Sequence, residues 1–249
     1  LSTDAASLLP GVVRPAYLWS FDLDDAGHVT QTNLEIAQIR SRAQLTYDQV
    51  QAAYNEAAYL PVNVPQDLPE MLARVGRLRE ALETERGGVS LGLPEQRVEC
   101  GEHGFRLSFR QLTDVEGWNS QLSLMTGMEA AQLMLNANVG IVRTLPPARE
   151  KDVDRLRAVA AGLGLTWDND DDYPTFVRSL NSKDPAALAF MHEATTLFRG
   201  AGYLALPAEG KEDDALLHNA IAAPYAHVTA PLRRLVDRFG LEVCRCLVA

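Results

Sequence analysis

The sequence predicts an α+β fold, a mixed sheet packed against several helices, on three observations. Strand-like and helical segments come in runs (strands, helices, strands, helices) and lack the regular alternation of a parallel α/β sheet. A long segment, Glu116–Ala137, is apolar nearly all round (Trp118, Leu122, Leu124, Met125, Met128, Leu133, Met134, Leu135), as a helix surrounded by other elements must be. The chain is also 47% apolar over 249 residues, enough to build a substantial core.

Each element has its own local signal. Arg14–Asp24 and Val29–Arg42 are rich in β-formers and flank the turn tetrad Asp24-Asp25-Ala26-Gly27, which predicts a hairpin. Thr46-Tyr47-Asp48-Gln49 matches a capping box, with Leu45 and Val50 placed as a hydrophobic staple, so a helix starts at Tyr47 and runs to about Ala58. After Pro61 and Pro65, a second helix shows Leu68, Met71, Leu72, Val75, Leu78 and Leu82 on one face and stops at Gly87-Gly88. Short strands are expected near Val89–Leu93 and Gly104–Gln111. In the long buried helix Gly127 implies that a neighbouring backbone passes close. Further helices are expected at Glu150–Ala161, Pro174–Leu180 and Pro185–Phe198, the last capped by Asp184 with Pro185 at its first position. Strand-like stretches near Gly202–Ala205 and Ala220–Ala223 precede a final helix, Pro231–Leu247. Neither an internal repeat nor a low-complexity linker divides the chain, so residues 1–249 read as a single domain.

The net charge of −10 argues against an extended polyanion-binding face, so any nucleic-acid contact must be local. The basic residues are 20 Arg and 3 Lys, which supplies planar donors suited to phosphate. Cys100, Cys244 and Cys246 form neither a disulfide framework nor a zinc knuckle, and fit a reducing cytoplasm. No apolar run approaches the roughly 20 residues of a membrane span, so no membrane is expected as a partner. The absence of an initial Met, and a last stretch that reads as helix, make both ends look cut.

Tyr225–Arg238 is the most informative candidate site. It combines a Pro-marked helix start at Pro231 with Arg233 and Arg234 in the first turn, where cations oppose the helix dipole and a bound anion would relieve them. The alternative pairs Arg233 with Asp237 and leaves Arg234 and Arg238 facing solvent. His227 and His218 lie nearby and suit a structural role better than acid–base work. Tyr47 follows a strand with Arg40 and Arg42 on one face, and could meet a base or ribose or pack on Tyr54. His192-Glu193 lacks the second histidine of a zinc-protease motif, and Asp22–Gly27 and Asp168–Asp172 both fail the spacing of a calcium loop.

Four stretches, Leu1–Arg14 (LSTDAASLLPGVVR), Ile39–Val50 (IRSRAQLTYDQV), Met125–Val139 (MTGMEAAQLMLNANV) and above all Tyr225–Asp237 (YAHVTAPLRRLVD), resemble the RNB catalytic domain of the ribonuclease II and ribonuclease R exoribonucleases. The last is similar to that family's Y-x-H-x-T-S-P-I-R-R-Y-x-D signature. The resemblance implies an RNB-like fold, incomplete on its N-terminal side, and 3′→5′ hydrolysis of single-stranded RNA to nucleoside 5′-monophosphates with magnesium. It implies that Arg233 holds the scissile phosphate and Tyr47 places the 3′-terminal nucleotide. Arg234, Arg42, Arg40, Gln132, Tyr225, His227 and Thr229 become expected RNA contacts, and no obligate protein partner is indicated.

Three departures accompany it. The family's clustered aspartates, which bind the metal, precede the stretch resembling Leu1–Arg14, so no metal ligand is assigned within this chain. Ala131-Gln132 stands where many relatives show paired glutamates, and Leu91 near a base-stacking phenylalanine, with Ala230 in place of a serine. A catalytically inactive RNA-binding or scaffold protein of the same fold is therefore the alternative.

Overall fold

The protein is described by a computed structural model covering residues 6–101, 104–208, 210 and 213–248. Strands β1 (Val13–Leu23) and β2 (Val29–Arg40) form the expected antiparallel hairpin, in register from Val13 opposite Arg40 to Leu23 opposite Val29. Its turn is closed by Asp24, whose Oδ1 accepts the Ala26 and His28 amides at 3.0 and 2.8 Å, while Gly27 takes a φ of 88°. The strand ends at Arg40, so Arg42 leaves the alternation that would have put both guanidiniums on one face.

The capping box at Thr46 and Gln49 is formed and starts α1 (Tyr47–Tyr54). This helix stops earlier than expected, because Asn55 ends it and Glu56 turns to a φ of 56°. Helix α2 (Leu68–Glu85) ends as anticipated, with Gly87 at a φ of 78°. No strand forms at 89–93. Val89 and Leu91 alternate because they pack side-on against a helical cluster, and Gly92 and Pro94 discourage a ladder. Pairing begins downstream, with β3 (Glu95–Gly101) antiparallel to β4 (Gly104–Arg110).

Helix α3 (Asp114–Asn136) organises the rest. Thr113 and Glu116 form a capping box at its start. Glu116 also takes both Arg110 Nη atoms at 2.7 Å, and that guanidinium holds its carboxyl down at about 2. Along its length α3 meets α1 and α2 on one side, and β5 (Gly140–Thr144), β8 (Ala223–Pro224) and α7 (Leu235–Val248) on the other. Gly76 of α2 admits the Trp118 ring of α3, since a Cβ there would overlap it. The C-terminal half of α3 buries Ala130, Ala131 and Met134 against Val142, Val228, Leu241 and Cys244.

Helices α4 (Glu150–Gly162), α5 (Tyr173–Ser179) and α6 (Pro185–Ala194) close a second core of Leu156, Phe176 and Phe190. The expected single helix to Phe198 tightens into a 3₁₀ turn at Thr195–Phe198, where the Thr195 and Thr196 hydroxyls bond back to the His192 and Glu193 carbonyls at 2.7 Å each. Strand β6 (Gly202–Leu206) pairs with β5, and β7 (Leu217–His218) with β8. The α+β class holds. The sheet anticipated as one mixed layer consists, among the described residues, of four two-stranded antiparallel ladders plus one parallel bridge, Leu145 to His218.

Gly127 fixes how the chain's last third meets α3. The Ala226 amide donates to the Gly127 carbonyl at 2.9 Å, and a Cβ on Gly127 would overlap the Tyr225 ring and lie 2.8 Å from the Ala226 oxygen. Gly127→Ala should therefore destabilise the fold by about 3 kcal/mol. In urea melts, Gly127→Ala combined with Tyr225→Ala should cost less than the sum of the two single variants; strict additivity would refute the close-approach argument.

Candidate nucleic-acid interface

The segment 225–234 is extended and then turns, and α7 begins only at Leu235. This corrects the expected helix start at Pro231. The Arg233 and Arg234 amides bond to the Ala230 carbonyl at 3.2 and 3.1 Å in an isolated turn, so both arginines precede the helix. Neither lies within the helix, and the charge of Arg234, which directly precedes it, is met by Asp237, so no anion is needed to relieve it. Asp237, fully buried in the first turn of α7, governs this geometry: its Oδ1 accepts the Ala230 amide at 2.7 Å and an Arg234 Nη at 2.9 Å, and its Oδ2 lies 2.8 Å from Arg234 Nε.

The pairing expected between Arg233 and Asp237 is therefore made by Arg234 instead. Arg233 is exposed, and among the described residues nothing pairs with its guanidinium. Arg238 bonds through Nε to the Pro231 carbonyl at 2.6 Å, bracing the turn. Removing the Asp237 carboxylate leaves the Arg234 charge and the Ala230 amide without partners.

A groove of about 910 Å³ runs beside this turn. Tyr17 and Trp19 of β1 form one wall, Thr126 of α3 lies between, and Thr229, Arg233 and Arg238 form the other. Tyr17 donates to Glu242 Oε2 at 2.8 Å, and Trp19 lies stacked on Phe21 with centroids 5.8 Å apart. The aromatic wall escaped sequence reasoning, although residues two apart on a strand face the same way.

Tyr225 and His227 sit behind the groove. Tyr225 is buried, with His218 and His227 edge-on to it at centroid distances of 6.0 and 5.5 Å. The His227 Nδ1 lies 2.8 Å from the Tyr203 hydroxyl, and the Arg143 guanidinium lies 4.6 Å from the centre of the Tyr203 ring. Burial, with help from the nearby Arg234, Arg143 and His218 and against Asp237, pushes the His227 imidazole down to about 4. It is neutral at neutral pH. Tyr203 and Arg143 were not singled out from sequence, where nothing in their spacing marks them; only the β5–β6 pairing brings them beside the signature.

The remaining expected residues lie outside the groove lining. Tyr47 is 46% exposed and accepts from Asn119 Nδ2 at 3.0 Å, while Tyr54 packs edge-on against Trp118, so Tyr47 and Tyr54 do not share a core. Arg40 ends β2 and Arg42 is exposed beyond it. Gln132 is on the exposed side of α3, its Nε2 bonded to Asn136 Oδ1 at 2.7 Å. Leu91 is turned into the second core. Among the described residues no three of His, Cys, Asp and Glu gather as a metal site, and no helix is long and apolar enough to cross a membrane.

An α+β fold built on one central helix, with an aromatic and arginine-lined groove beside a buried carboxylate, defines the class. The RNB domain model matches residues 1–240, and the chain belongs to the RNB-domain family. It is 23% identical to ribonuclease R of Mycoplasma genitalium over 95% of this chain and 33% of that protein, and 21% identical to the exosome complex exonuclease dis3 of Schizosaccharomyces pombe over 95% of this chain and 25% of that protein. The chain thus spans a quarter to a third of these relatives.

Among solved structures, Mycoplasma genitalium RNase R in complex with ribose-methylated single-stranded RNA superposes with a TM-score of 0.78 at 22% identity, covering 97% of this chain and 37% of that one. Yeast Ssd1, a pseudonuclease, superposes at 0.72 with 14% identity over 99% of this chain and 30% of that one.

Two outcomes follow from the site's electrostatics. Asp237→Ala should lower stability by about 3 kcal/mol, whereas Asp237→Asn, which keeps the Ala230 cap, should lose less; equal losses in thermal melts would refute the capping role. The depressed His227 value means that the unfolded chain takes up a proton first as pH falls. The stability this contributes is present above about 6.5 and is lost as pH falls toward about 4, and His227→Gln should flatten the melting temperature over that window. Glu116, held down at about 2, titrates in a separate window below about 4.5.

Proposed function

We propose that this chain supplies the phosphate- and 3′-end-holding part of an exoribonuclease that degrades single-stranded RNA in the 3′→5′ direction to nucleoside 5′-monophosphates. The observation that carries the reading is the uncompensated Arg233 on the lip of the groove, inside the stretch that resembles the family signature. A guanidinium already paired would have to give up its partner before taking a phosphate. Arg233 offers its fork of donors without that cost.

The other residues take graded roles. Arg234, locked to Asp237, braces the turn that presents Arg233 and lends positive potential to the same phosphate. Thr229 offers a hydroxyl in the groove, and Tyr17 and Trp19 present aromatic faces suited to stacking bases of any sequence. Neutral His227 shares Nδ1 with the Tyr203 hydroxyl, and in the tautomer that accepts there it carries its proton on Nε2 and donates one uncharged hydrogen bond. Tyr225 sets the position of His227. Tyr47, Arg40, Arg42 and Gln132 are exposed and would meet the terminal nucleotide or the chain leading to it, Tyr47 and Gln132 exchanging their bonds to Asn119 and Asn136 for it.

Magnesium would supply activation of water and neutralisation of the leaving oxygen. The described residues alone do not make a magnesium site, and the reading places its aspartates mainly outside this chain, with residues 1–249 forming the C-terminal part of the RNB domain. Three free cysteines fit a cytoplasmic setting.

Fluorescence anisotropy with a labelled single-stranded RNA tests the reading. The chain should bind, and Arg233→Ala should weaken binding about tenfold without moving the melting temperature. Unchanged affinity would sink the phosphate role of Arg233. The fold is also shared with a pseudonuclease, which favours one second reading, an RNA-binding scaffold without chemistry. With magnesium, the complete gene product should release mononucleotides from RNA; binding without release would select the scaffold.

A further inference from the structure

A second cavity, of about 660 Å³, shares no lining residue with the groove. It forms where the loop after β5 meets the start of α4 and the 3₁₀ turn after α6. Pro146, Pro147, Ala148 and Leu197 make an apolar part of its wall, and three arginines, Arg149, Arg155 and Arg199, also line it.

The charges there are unequal. Asp152 Oδ2 takes Arg149 Nε at 2.7 Å, leaving both Nη groups of Arg149 without a partner among the described residues. Glu193 Oε2 takes one Nη of Arg155 at 3.0 Å, and the Thr196 hydroxyl accepts the other at 2.7 Å. Arg199 has no partner among the described residues. Three cations thus face two engaged carboxylates in a protein whose net charge is −10.

From this we infer that the cavity is a second phosphate site. It takes a ligand that joins a phosphate to a flat apolar ring: a nucleoside monophosphate, or one nucleotide of an RNA chain. Arg199 and the free Nη pair of Arg149 would hold the phosphate oxygens, with Arg155 fixed behind them by Glu193 and Thr196. The prolines and Leu197 would meet the base. The volume lies within the roughly 300–1,000 Å³ of small-molecule sites, and the two prolines and the braced Arg155 leave little to be ordered on binding.

Isothermal titration of the chain with adenosine 5′-monophosphate, and separately with a short RNA bearing hydroxyls at both ends, tests the site. Arg199→Gln is the variant of choice because Arg199 makes no described contact whose loss could unfold the chain. Arg233→Ala serves as the groove control. Adenosine 5′-monophosphate should bind saturably, about tenfold more weakly to Arg199→Gln and unchanged to Arg233→Ala. Sensitivity to Arg199→Gln only with the hydroxyl-ended RNA would assign the site to a nucleotide within a chain. Overturning outcomes are no saturable binding of either ligand, or binding that responds to Arg233→Ala and not to Arg199→Gln. RNA affinity lost at Arg233 alone, with neither ligand responding to Arg199→Gln, would leave the groove reading standing while removing this one.

Discussion

The missing side chain of Gly127 lets the segment around Tyr225 descend onto the middle of α3, and the presentation of the groove depends on that contact. The Ala226 amide is tied to the Gly127 carbonyl, and the Arg143 amide donates to the Tyr225 carbonyl at 2.7 Å from the other side. The segment is therefore gripped between a helix and a strand. From that anchor the chain has only a few residues before α7 must start, and Gly240 of α7 comes close to its path, since a Cβ there would lie 3.1 Å from the His227 carbonyl.

Two adjacent arginines have opposite fates for this reason. Asp237 is fully buried one residue pair into α7 and must be satisfied, and the Ala230 amide and Arg234 satisfy it. Breaking such a buried pair costs far more than an exposed one contributes. Arg234 is thus committed to structure, and its neighbour, facing the other way along the turn, is left to the groove. The sequence shows two equivalent-looking cations after a proline. Only the position of one carboxylate separates them.

What could be read from the sequence was what local chemistry decides. The capping box at Thr46, the Asp24 turn, the Asp184 cap and the all-round apolarity of α3 are each set by residues close in sequence, and each formed. Gly127 was legible too, because a glycine in the middle of a buried helix has few explanations. The misplacements share a different cause. Val89 and Leu91 alternate like a strand but are held by the α4–α6 core, and Pro231 marks a helix start that Asp237 postpones to Leu235 by drawing the Ala230 amide to itself. Tyr17, Trp19, Tyr203 and Arg143 reached the site through pairings between segments far apart in the chain, which composition and spacing do not encode.

In a protein with a net charge of −10, a groove attracts an anion only through cations that are not cancelled by neighbouring carboxylates. Several arginines here are spent on exposed carboxylates: Arg97 and Arg110 on Glu95, Arg106 on Glu99, Arg245 on Glu242. Exposed pairs of this kind project little field beyond about 10 Å at physiological salt, so the net charge says little about what a groove presents. What matters is the residue left over after pairing. Arg233 is such a residue at the groove, and Arg199 at the second cavity, and neither would be found by counting charges. An arrangement of this kind offers uncompensated positive charge at chosen points while the protein as a whole stays acidic.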